Sequence, residues 1–397
     1  MIVAETAIGR MTRKSPVGAF KSFGKKKWLS FGGWINAVIP VLIVPYYSVI
    51  GGWVIKYLVE YFRGNAKLLA EDGYFTDFIS NGVSTELCFV AFCAFTLIII
   101  FAGVQNGIER VSKIMMPILI VLSVIIAVYS VTRPGALAGV KYFLVPNVKN
   151  FSWMTVVSAM GQMFYSLSIA MGILITFGSY MKKDTAIEDS TRNVEIFDTG
   201  IAIMAGLMII PAVFAFSGGD PDTLQAGPSL MFITIPKVFQ NMGFGTVIGI
   251  VFFLLVLFAA VTSSIALTES AVSTFEDELG WGRKKATVLV GVIMLALGSL
   301  SSLGYGPLAG IKIIGMQFLD LFDFLTNSVM MPIAALLTSL FVSRVVGIDK
   351  IEEEIIHGES AFRRKKVFVV MIKYLCPVFA IIILLSSVAN ALGWIKM

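Results

Sequence analysis

The sequence predicts an all-α, polytopic membrane protein, and three observations support this class. First, 57% of the 397 residues are hydrophobic and only 14% are charged, and the mean hydropathy is +0.86. These values are typical of membrane proteins rather than soluble domains. Second, nine apolar runs are long enough to cross a bilayer. They lie at 34–58, 84–104, 109–131, 153–180, 195–217, 244–273, 286–303, 321–343 and 367–391. Third, the loops between them differ in charge.

Basic residues are divided unequally between the two sides of the predicted bundle. Of the 31 Lys and Arg residues, 21 fall in the N-terminal segment and the even-numbered loops, and 8 fall on the opposite side. Because basic loops stay in the cytosol, we expect a multi-pass protein of the cytoplasmic (cell) membrane with a cytosolic N-terminus and an external C-terminus. The net charge of +6 follows from this topology, so no nucleic-acid partner is needed to explain it.

The residues that most enzymes use for catalysis are scarce. His357 is the sole histidine, and it falls in a predicted cytosolic loop. Cys88, Cys93 and Cys376 lie in apolar runs without the spacing of metal ligands, as expected of packing residues. A membrane enzyme is therefore disfavoured.

The stretch Gly161–Gly172, GQMFYSLSIAMG, places polar and small residues inside the apolar run 153–180. Polar groups in hydrocarbon are costly unless they face a partner or a cavity, and small residues allow a helix to break beside a ligand. Gln162 and Ser166 share a helical face, whereas Ser166 and Ser168 serve one site only if the helix unwinds between them. Small-residue helix packing is the alternative explanation.

Two further groups of polar residues lie in apolar runs. Asp198 is followed by an uninterrupted apolar stretch, which favours a buried ion ligand over an interfacial acid. Ala259, Thr262 and Ser263 share one helical face, where one carbonyl and two hydroxyls suit a hard cation. Helix packing by serine is the alternative for this group. Glu269 lies on another face, and we expect it to be paired within the bundle.

Two segments outside the nine runs carry predictions of their own. Residues 1–10 look like the end of a membrane helix whose beginning is absent, since they are apolar but too short to span. Glu5 within them is either an intramembrane acid or an interfacial one. Residues 217–236 are rich in Gly and Pro and end in an apolar stretch, which suggests a lid that dips inward.

Four motifs together resemble the neurotransmitter:sodium symporter family, in particular its bacterial sodium-dependent amino-acid transporters. They are GQMFYSLSIAMG, FAAVTSSIAL with FEDEL after it, PYYSVIGGW and FLDLFDF. The resemblance covers essentially the whole chain and implies the LeuT-type inverted-repeat bundle, in which two broken helices build a midplane site. In this family pattern the nine runs match the third to eleventh helices, so the first helix and most of the second are lacking.

The resemblance also implies how the chain is divided. The transporter core is residues 1–343, with a partial first repeat at 1–131 and a complete second repeat at 153–343. Residues 344–397 form a cytosolic loop and the C-terminal helix. The lacking first helix would contribute to both sodium sites and to the substrate carboxylate, so each Na⁺ site is expected to be incomplete.

The family pattern assigns a role to individual positions of this sequence. Those that line the substrate pocket are Ile43, Tyr47, Tyr165, Ser168, Met171, Ser263 and Leu267, with Tyr47 at the position that binds the substrate carboxylate. The first sodium site takes Ser166 and Asp198, and the second takes Ala259, Thr262 and Ser263. The external gate uses Asp323, and the cytosolic gate uses Tyr180 and Asp277. Near Gln162, Asp198 occupies a position where chloride-dependent relatives have asparagine, and thus substitutes for the anion.

These residues predict sodium-coupled symport of a neutral, apolar amino acid across the cytoplasmic membrane, impaired in a chain that lacks the first helix. The alternative is a non-transporting membrane fragment or scaffold from a mis-started or damaged reading frame.

Overall fold

The computed structural model describes residues 1–224 and 227–391, and it confirms the all-helical prediction. The α-helices are Ile2–Thr12, Pro16–Lys21, Lys27–Phe62, Ala66–Leu69, Tyr74–Ser80, Gly82–Phe101, Arg110–Val131, Ala136–Leu144, Trp153–Ser166, Ile173–Tyr180, Ile187–Ser217, Ile235–Gln240, Gly245–Leu279, Arg283–Leu303, Phe318–Asp323, Met331–Phe341, Ile348–Ile356, Lys365–Val370 and Cys376–Ala391. Five π-helical turns (Val104–Glu109, Leu230–Thr234, Phe324–Met330, Val342–Val346, Met371–Leu375) and two 3₁₀ turns (Val148–Asn150, Pro221–Thr223) complete the helical structure. The described residues contain no β-strand beyond an isolated bridge between Ile313 and Met316.

Eight continuous helical segments within the described residues are long and apolar enough to cross a membrane. They are Lys27–Phe62, Gly82–Phe101, Val104–Val131, Ile187–Ser217, Gly245–Leu279, Arg283–Leu303, Phe318–Val346 and Lys365–Ala391. Each contains one of the predicted apolar runs or overlaps nearly all of it. The C-terminal residue Met397, which is predicted to be external, lies outside the described residues.

The remaining predicted run, 153–180, is not one continuous helix. Helix Trp153–Ser166 begins with a capping box formed by Ser152 and Thr155, and helix Ile173–Tyr180 follows after a break. We call Trp153–Tyr180 the broken span. Its two helices have 14 and 8 residues, and each is too short to cross a bilayer alone.

Three residues in the break have left-handed backbone conformations. The φ angles of Ser168, Ala170 and Gly172 are +54°, +60° and +70°. L-residues other than glycine rarely adopt this region, because Cβ approaches the following carbonyl. The chain therefore leaves helical geometry where the small and polar residues predicted unwinding.

The N-terminal helix Ile2–Thr12 packs closely on the second half of the broken span. A Cβ added at Gly9 would lie 2.0 Å from the carbonyl oxygen of Ile175, and one at Gly178 would lie 2.5 Å from that of Thr6. These glycines bring the two backbones into direct contact. Glu5 in this helix is fully buried within the bundle.

Helix Lys27–Phe62 lies at the centre of the bundle. A Cβ at Gly52 would lie 2.7 Å from the backbone nitrogen of Phe89, and one at Gly51 would lie 2.5 Å from the ring of Phe92. Both contacts are with helix Gly82–Phe101. Glycine pairs allow such close helix approach in membrane bundles. The contact lies one turn after Tyr46 and Tyr47 on the same helix.

The segment predicted as a lid is held by an aromatic cluster. Phe232 is buried and stacks on Phe75, with ring centroids 5.2 Å apart. The Tyr57 hydroxyl donates a hydrogen bond of 2.7 Å to the carbonyl oxygen of Phe232. Gln225 and Ala226 of the predicted lid lie outside the described residues.

Helix Ile348–Ile356 is joined to the bundle by a buried ion pair. Arg10 is fully buried, and its Nε donates to Glu354 Oε1 at 2.7 Å. Lys183 Nζ donates to the other carboxylate oxygen of Glu354, also at 2.7 Å. Three segments that are distant in sequence therefore meet at one carboxylate.

Candidate functional site

A cavity of about 420 Å³ lies against the break in the broken span. It is lined by Ile43, Tyr47, Met116, Gln162, Tyr165, Ser166, Ser168, Met171, Ile173, Thr262, Ser263, Ala266 and Leu267. All seven substrate-pocket residues that were predicted from the sequence are among them. None of the lining side chains carries a formal charge, so the cavity offers apolar walls and neutral hydrogen-bonding groups.

Three elements position these side chains. Ile43 and Tyr47 are one turn apart on the central helix Lys27–Phe62. Ser263 and Leu267 are one turn apart on helix Gly245–Leu279, and they share a face. Tyr165 lies at the end of helix Trp153–Ser166, and the break that follows adds Ser168 and Met171. A continuous helix would turn Ser166 and Ser168 to different sides. Ile43, Met171 and Leu267 are buried and form the apolar wall.

The backbone of the break is stabilised from within the span and from the N-terminal helix. The N–H groups of Leu167, Ser168 and Ile169 donate to carbonyl oxygens of the preceding helical turn. The N–H of Ala170 donates to Glu5 Oε1 at 3.0 Å. Buried backbone donors need such partners, so Glu5 supports the unwound conformation.

One predicted cation site is assembled by a direct contact. Ser166 Oγ donates to Asp198 Oδ1 at 2.6 Å, across 32 residues of sequence. Gln162 lies one turn before Ser166 on the same helix and also lines the cavity. A carboxylate and a hydroxyl in contact are hard-oxygen donors of the kind a small cation requires, so these residues fit the first Na⁺ site.

The second predicted cation site is only partly exposed to the cavity. Thr262 and Ser263 line it, whereas Ala259 does not. The Thr262 hydroxyl donates to the carbonyl oxygens of Ala259 and Phe258 at 3.0 and 3.1 Å. A hydroxyl that donates in this way still has lone pairs to offer a cation, so the oxygen set fits Na⁺.

The structure gives the predicted gate residues separate partners. Asp323 Oδ1 accepts a hydrogen bond of 2.6 Å from Asn327, and the salt bridges within the described residues do not include it. The Tyr180 hydroxyl donates to Glu269 Oε1 at 2.7 Å. The backbone N–H of Ser15 donates to Asp277.

Glu269 is paired within the bundle, as expected from its position in an apolar run. Arg283 on the following helix donates to Oε1 at 3.0 Å and to Oε2 at 2.5 Å. The carboxylate is fully buried, so this forked pair compensates a charge that would otherwise be costly in the bundle.

Sequence reasoning missed three residues that line the cavity. Ile173 directly follows the break, and Ala266 lies beside Leu267, so both follow from the identified motifs. Met116 lies on helix Arg110–Val131, and no residue of that helix was predicted to line a site. A methionine in an apolar run carries no signal that distinguishes a cavity wall from lipid contact.

Comparison with known proteins identifies the family. The model of the sodium:neurotransmitter symporter family matches residues 74–394 of this sequence, which is most of the chain. The chain belongs to the sodium:neurotransmitter symporter family. The resemblance found from the four motifs is thereby confirmed.

Sodium-dependent transporters of three other organisms are similar in sequence. An uncharacterised sodium-dependent transporter of Bacillus subtilis, YhdH, is 33% identical over 392 residues, which cover 98% of this chain and 86% of that protein. One from Haemophilus influenzae is 30% identical over 98% of this chain and 86% of its own length. One from Methanocaldococcus jannaschii, MJ1319, is 28% identical over 89% of this chain and 73% of its own length.

A solved structure shares the fold of this symporter. The crystal structure of MhsT in complex with L-phenylalanine matches with a TM-score of 0.85 and 33% sequence identity. The match covers 97% of this chain and 87% of MhsT. The LeuT-type fold predicted from the sequence is therefore confirmed.

Family membership establishes the general activity. The chain is a multi-pass membrane protein of a family that couples transport to sodium. It belongs with transporters and not with enzymes.

Proposed function

We propose that this symporter carries neutral, apolar amino acids across the cell membrane together with sodium. The observation that carries the proposal is the cavity beside the break, whose lining has an apolar wall and no charged side chain. A cationic or anionic side chain of a substrate would be buried there without a partner, which is costly. MhsT, with the same fold, was crystallised with L-phenylalanine.

The cavity favours breadth among apolar substrates. Met171 is buried against the break, and a flexible thioether adapts to several side-chain shapes. Ile43 and Leu267 extend the same wall, and Tyr165 adds an aromatic surface. We expect both aliphatic and aromatic amino acids to be accepted.

A competition assay tests this specificity. Radiolabelled L-phenylalanine is bound to the purified protein in sodium, and unlabelled amino acids are added. Leucine, isoleucine and tryptophan are expected to displace the label, whereas lysine and aspartate are not. Displacement by lysine alone, or by glycine alone, would contradict the proposed substrate class.

The sodium ions are assigned to two positions. The first uses Ser166 and Asp198, which are already in contact. The second uses Thr262 and Ser263 with the carbonyl of Ala259, which lie on one face of helix Gly245–Leu279. Removing both hydroxyls takes away two oxygens of the set that a hard cation needs.

The double variant Thr262→Ala with Ser263→Ala tests the second position. We expect the sodium concentration at half-maximal L-phenylalanine binding to rise. The matched control is Ser273→Ala with Thr274→Ala, a serine–threonine pair of the same helix that bonds back to the Ser270 carbonyl. An unchanged sodium requirement in the first variant would remove these hydroxyls from the site.

The affinity of the 397-residue chain is proposed to be low. Gln162, Ser166 and Ser263 line the cavity yet are exposed, so the cavity is open on one side. Water competes for hydrogen bonds in an open site, which supports weak binding. A dissociation constant in the micromolar range would contradict low affinity but would leave the sodium-coupled activity in place.

Topology and repeat boundaries are part of the same proposal. We place the N-terminus in the cytosol and the C-terminus outside, on the charge difference between the loops. The core division into 1–131 and 153–343, followed by 344–397, stays a prediction. Labelling single cysteines at Ser22 and Asn147 in intact cells, after replacing the native cysteines, tests the orientation. Only position 147 should react with an impermeant reagent.

A further inference from the structure

A second, larger groove of about 860 Å³ lies away from the cavity at the broken span. Its walls come from helix Ala136–Leu144, the segment after it, and the end of helix Ile187–Ser217. Phe143, Phe151 and Phe214 form its apolar surface, and Lys141, Asn147 and Thr155 contribute polar groups to its rim. This volume lies within the range of about 300–1,000 Å³ that accommodates drug-sized ligands.

Helix Ala136–Leu144 is fixed firmly to the bundle on one face. A Cβ at Gly139 would lie 2.8 Å from Cα of Pro211, and one at Gly206 would lie 2.2 Å from the ring of Phe143. The rings of Tyr142 and Phe214 pack 5.0 Å apart. The groove is thus a built feature of two packed helices.

Apolar side chains in and after helix Ala136–Leu144 are unusually exposed. Leu137, Val148 and Trp153 are 77%, 83% and 82% exposed. The region directly follows the end of helix Arg110–Val131 and lies against the end of helix Ile187–Ser217. Tryptophan and apolar side chains at the ends of spanning helices favour the bilayer interface.

The charged residues in the local sequence around the groove are all basic. The segment between the two spans carries Arg133, Lys141 and Lys149, and the sequence has no acidic residue between Glu109 and Asp184. Both lysines are exposed. Asn147 Oδ1 accepts the N–H of Lys149 at 3.2 Å, which leaves its amide hydrogens to face a ligand.

We propose that this groove binds one anionic phospholipid of the adjacent leaflet, which is the outer leaflet in the orientation given above. An acyl chain lies on Phe143, Phe151 and Phe214. The phosphate group is held at the rim by Lys141, with Asn147 as a neutral donor. Lys149, two residues beyond Asn147, adds a second positive charge beside the rim. The apolar floor accounts for the chain, and the unopposed cations account for the charge of the headgroup.

Native mass spectrometry of the purified chain tests the proposal with two lipids that have identical acyl chains. Phosphatidylglycerol is expected to stay bound, whereas phosphatidylcholine is released. In the variant Lys141→Gln with Lys149→Gln, phosphatidylglycerol affinity should fall roughly fivefold per lysine, the factor for about 1 kcal/mol per cation at an anionic surface. The control Lys67→Gln with Lys312→Gln removes two exposed lysines from other loops and should bind as the unmutated chain does.

A second measurement locates the bound lipid by comparing the unmutated chain with a tryptophan variant. Brominated phosphatidylglycerol should quench tryptophan emission, and Trp153→Phe should remove part of that quenching. Equal retention of phosphatidylcholine, equal loss in the control variant, or displacement by inorganic phosphate would overturn the proposal. So would a dimer that occupies the groove and excludes the lipid.

Discussion

At the scale of single residues, Glu5 shows how one carboxylate stabilises a broken helix. Ala170 has a left-handed backbone with a φ of +60°, and it lies between the two helices of the broken span. That N–H donates to Glu5 from another helix at 3.0 Å. Without this acceptor a buried amide would have no partner, which costs about 1–3 kcal/mol.

A substitution that removes the acceptor oxygen of Glu5 should therefore destabilise the break, whereas one that keeps an oxygen there should not. We expect Glu5→Ala to lower the thermal unfolding midpoint in detergent, because the Ala170 N–H is left unpaired. Glu5→Gln keeps a side-chain oxygen at the same distance and should retain most of the midpoint. Equal midpoints for Glu5→Ala and the unmutated chain would show that Ala170 has another acceptor.

Asp198 leads to a prediction about anions. Its carboxylate already contacts Ser166, so it supplies a fixed negative charge beside the proposed cation, and a second anion there would be repelled. Ala202, one turn on, offers no hydroxyl to hold chloride. We expect sodium-dependent L-phenylalanine binding to be unchanged when gluconate replaces chloride.

The variant Asp198→Asn provides the contrast for this experiment. Chloride dependence that appears only in this variant, or loss of its binding, supports the charge-balancing role. A chloride requirement in the unmutated protein would disprove it.

Among the residues that line the cavity, those with polar side chains were predicted from the sequence more completely than the apolar ones. The polar groups of Ser166 and Asp198 stand out in apolar runs, and the structure joins them. Met116 has no such contrast with its neighbours. The partner of Asp277 was also unpredictable, because a backbone N–H, that of Ser15, leaves no mark in the sequence.

At the scale of helices, the break depends on Gly172 as much as on its polar residues. Gly172 has a φ of +70°, and an added Cβ would lie 2.7 Å from Cγ of Pro16 and 2.8 Å from the carbonyl oxygen of Asn36. Both the backbone conformation and the surrounding atoms exclude a side chain.

We expect Gly172→Ala to disrupt the break and to abolish amino-acid binding. Gly161 in the same span is the matched control, since a Cβ there meets nothing within 4 Å. Gly161→Ala should be neutral or stabilising by about 1 kcal/mol, as for alanine in a helix interior. The measurements are the unfolding midpoint and L-phenylalanine binding. Normal binding by Gly172→Ala would show that the break tolerates a side chain.

The ends of the helices were predicted less well than the positions of their apolar parts. Helix Ile187–Ser217 begins eight residues before the apolar run 195–217, and helix Lys27–Phe62 begins seven residues before the run 34–58. Hydrophobicity marks only the part of a helix inside the bilayer, whereas helical hydrogen bonding continues into the polar phase. The broken span was foreseeable because its interruption is itself polar.

At the scale of the whole molecule, charged residues tie distant segments together. Arg10 and Glu354 are 344 residues apart and form a buried pair. Sequence reasoning did not predict this contact, because no local pattern relates helix Ile2–Thr12 to helix Ile348–Ile356. Without Arg10, the buried Glu354 carboxylate would keep only the exposed Lys183 as a cation. Removing one member of a buried pair costs about 3–5 kcal/mol.

We expect Arg10→Met to lower the unfolding midpoint strongly. Glu354→Gln added to it should restore part of the loss, since it removes a buried carboxylate whose remaining cation is the exposed Lys183. Lys113→Met, which breaks an exposed pair with Glu109, is the control and should have little effect. Additive losses in the double variant would show that the two residues are not coupled.

The sodium dependence of L-phenylalanine affinity tests the central claim most directly. If the cavity at the broken span holds the amino acid and sodium together, each increases the affinity for the other by the same factor. The account predicts that L-phenylalanine binding by the purified chain rises with sodium concentration and is lost when choline replaces sodium. Binding that is equally strong in choline and in sodium would contradict it.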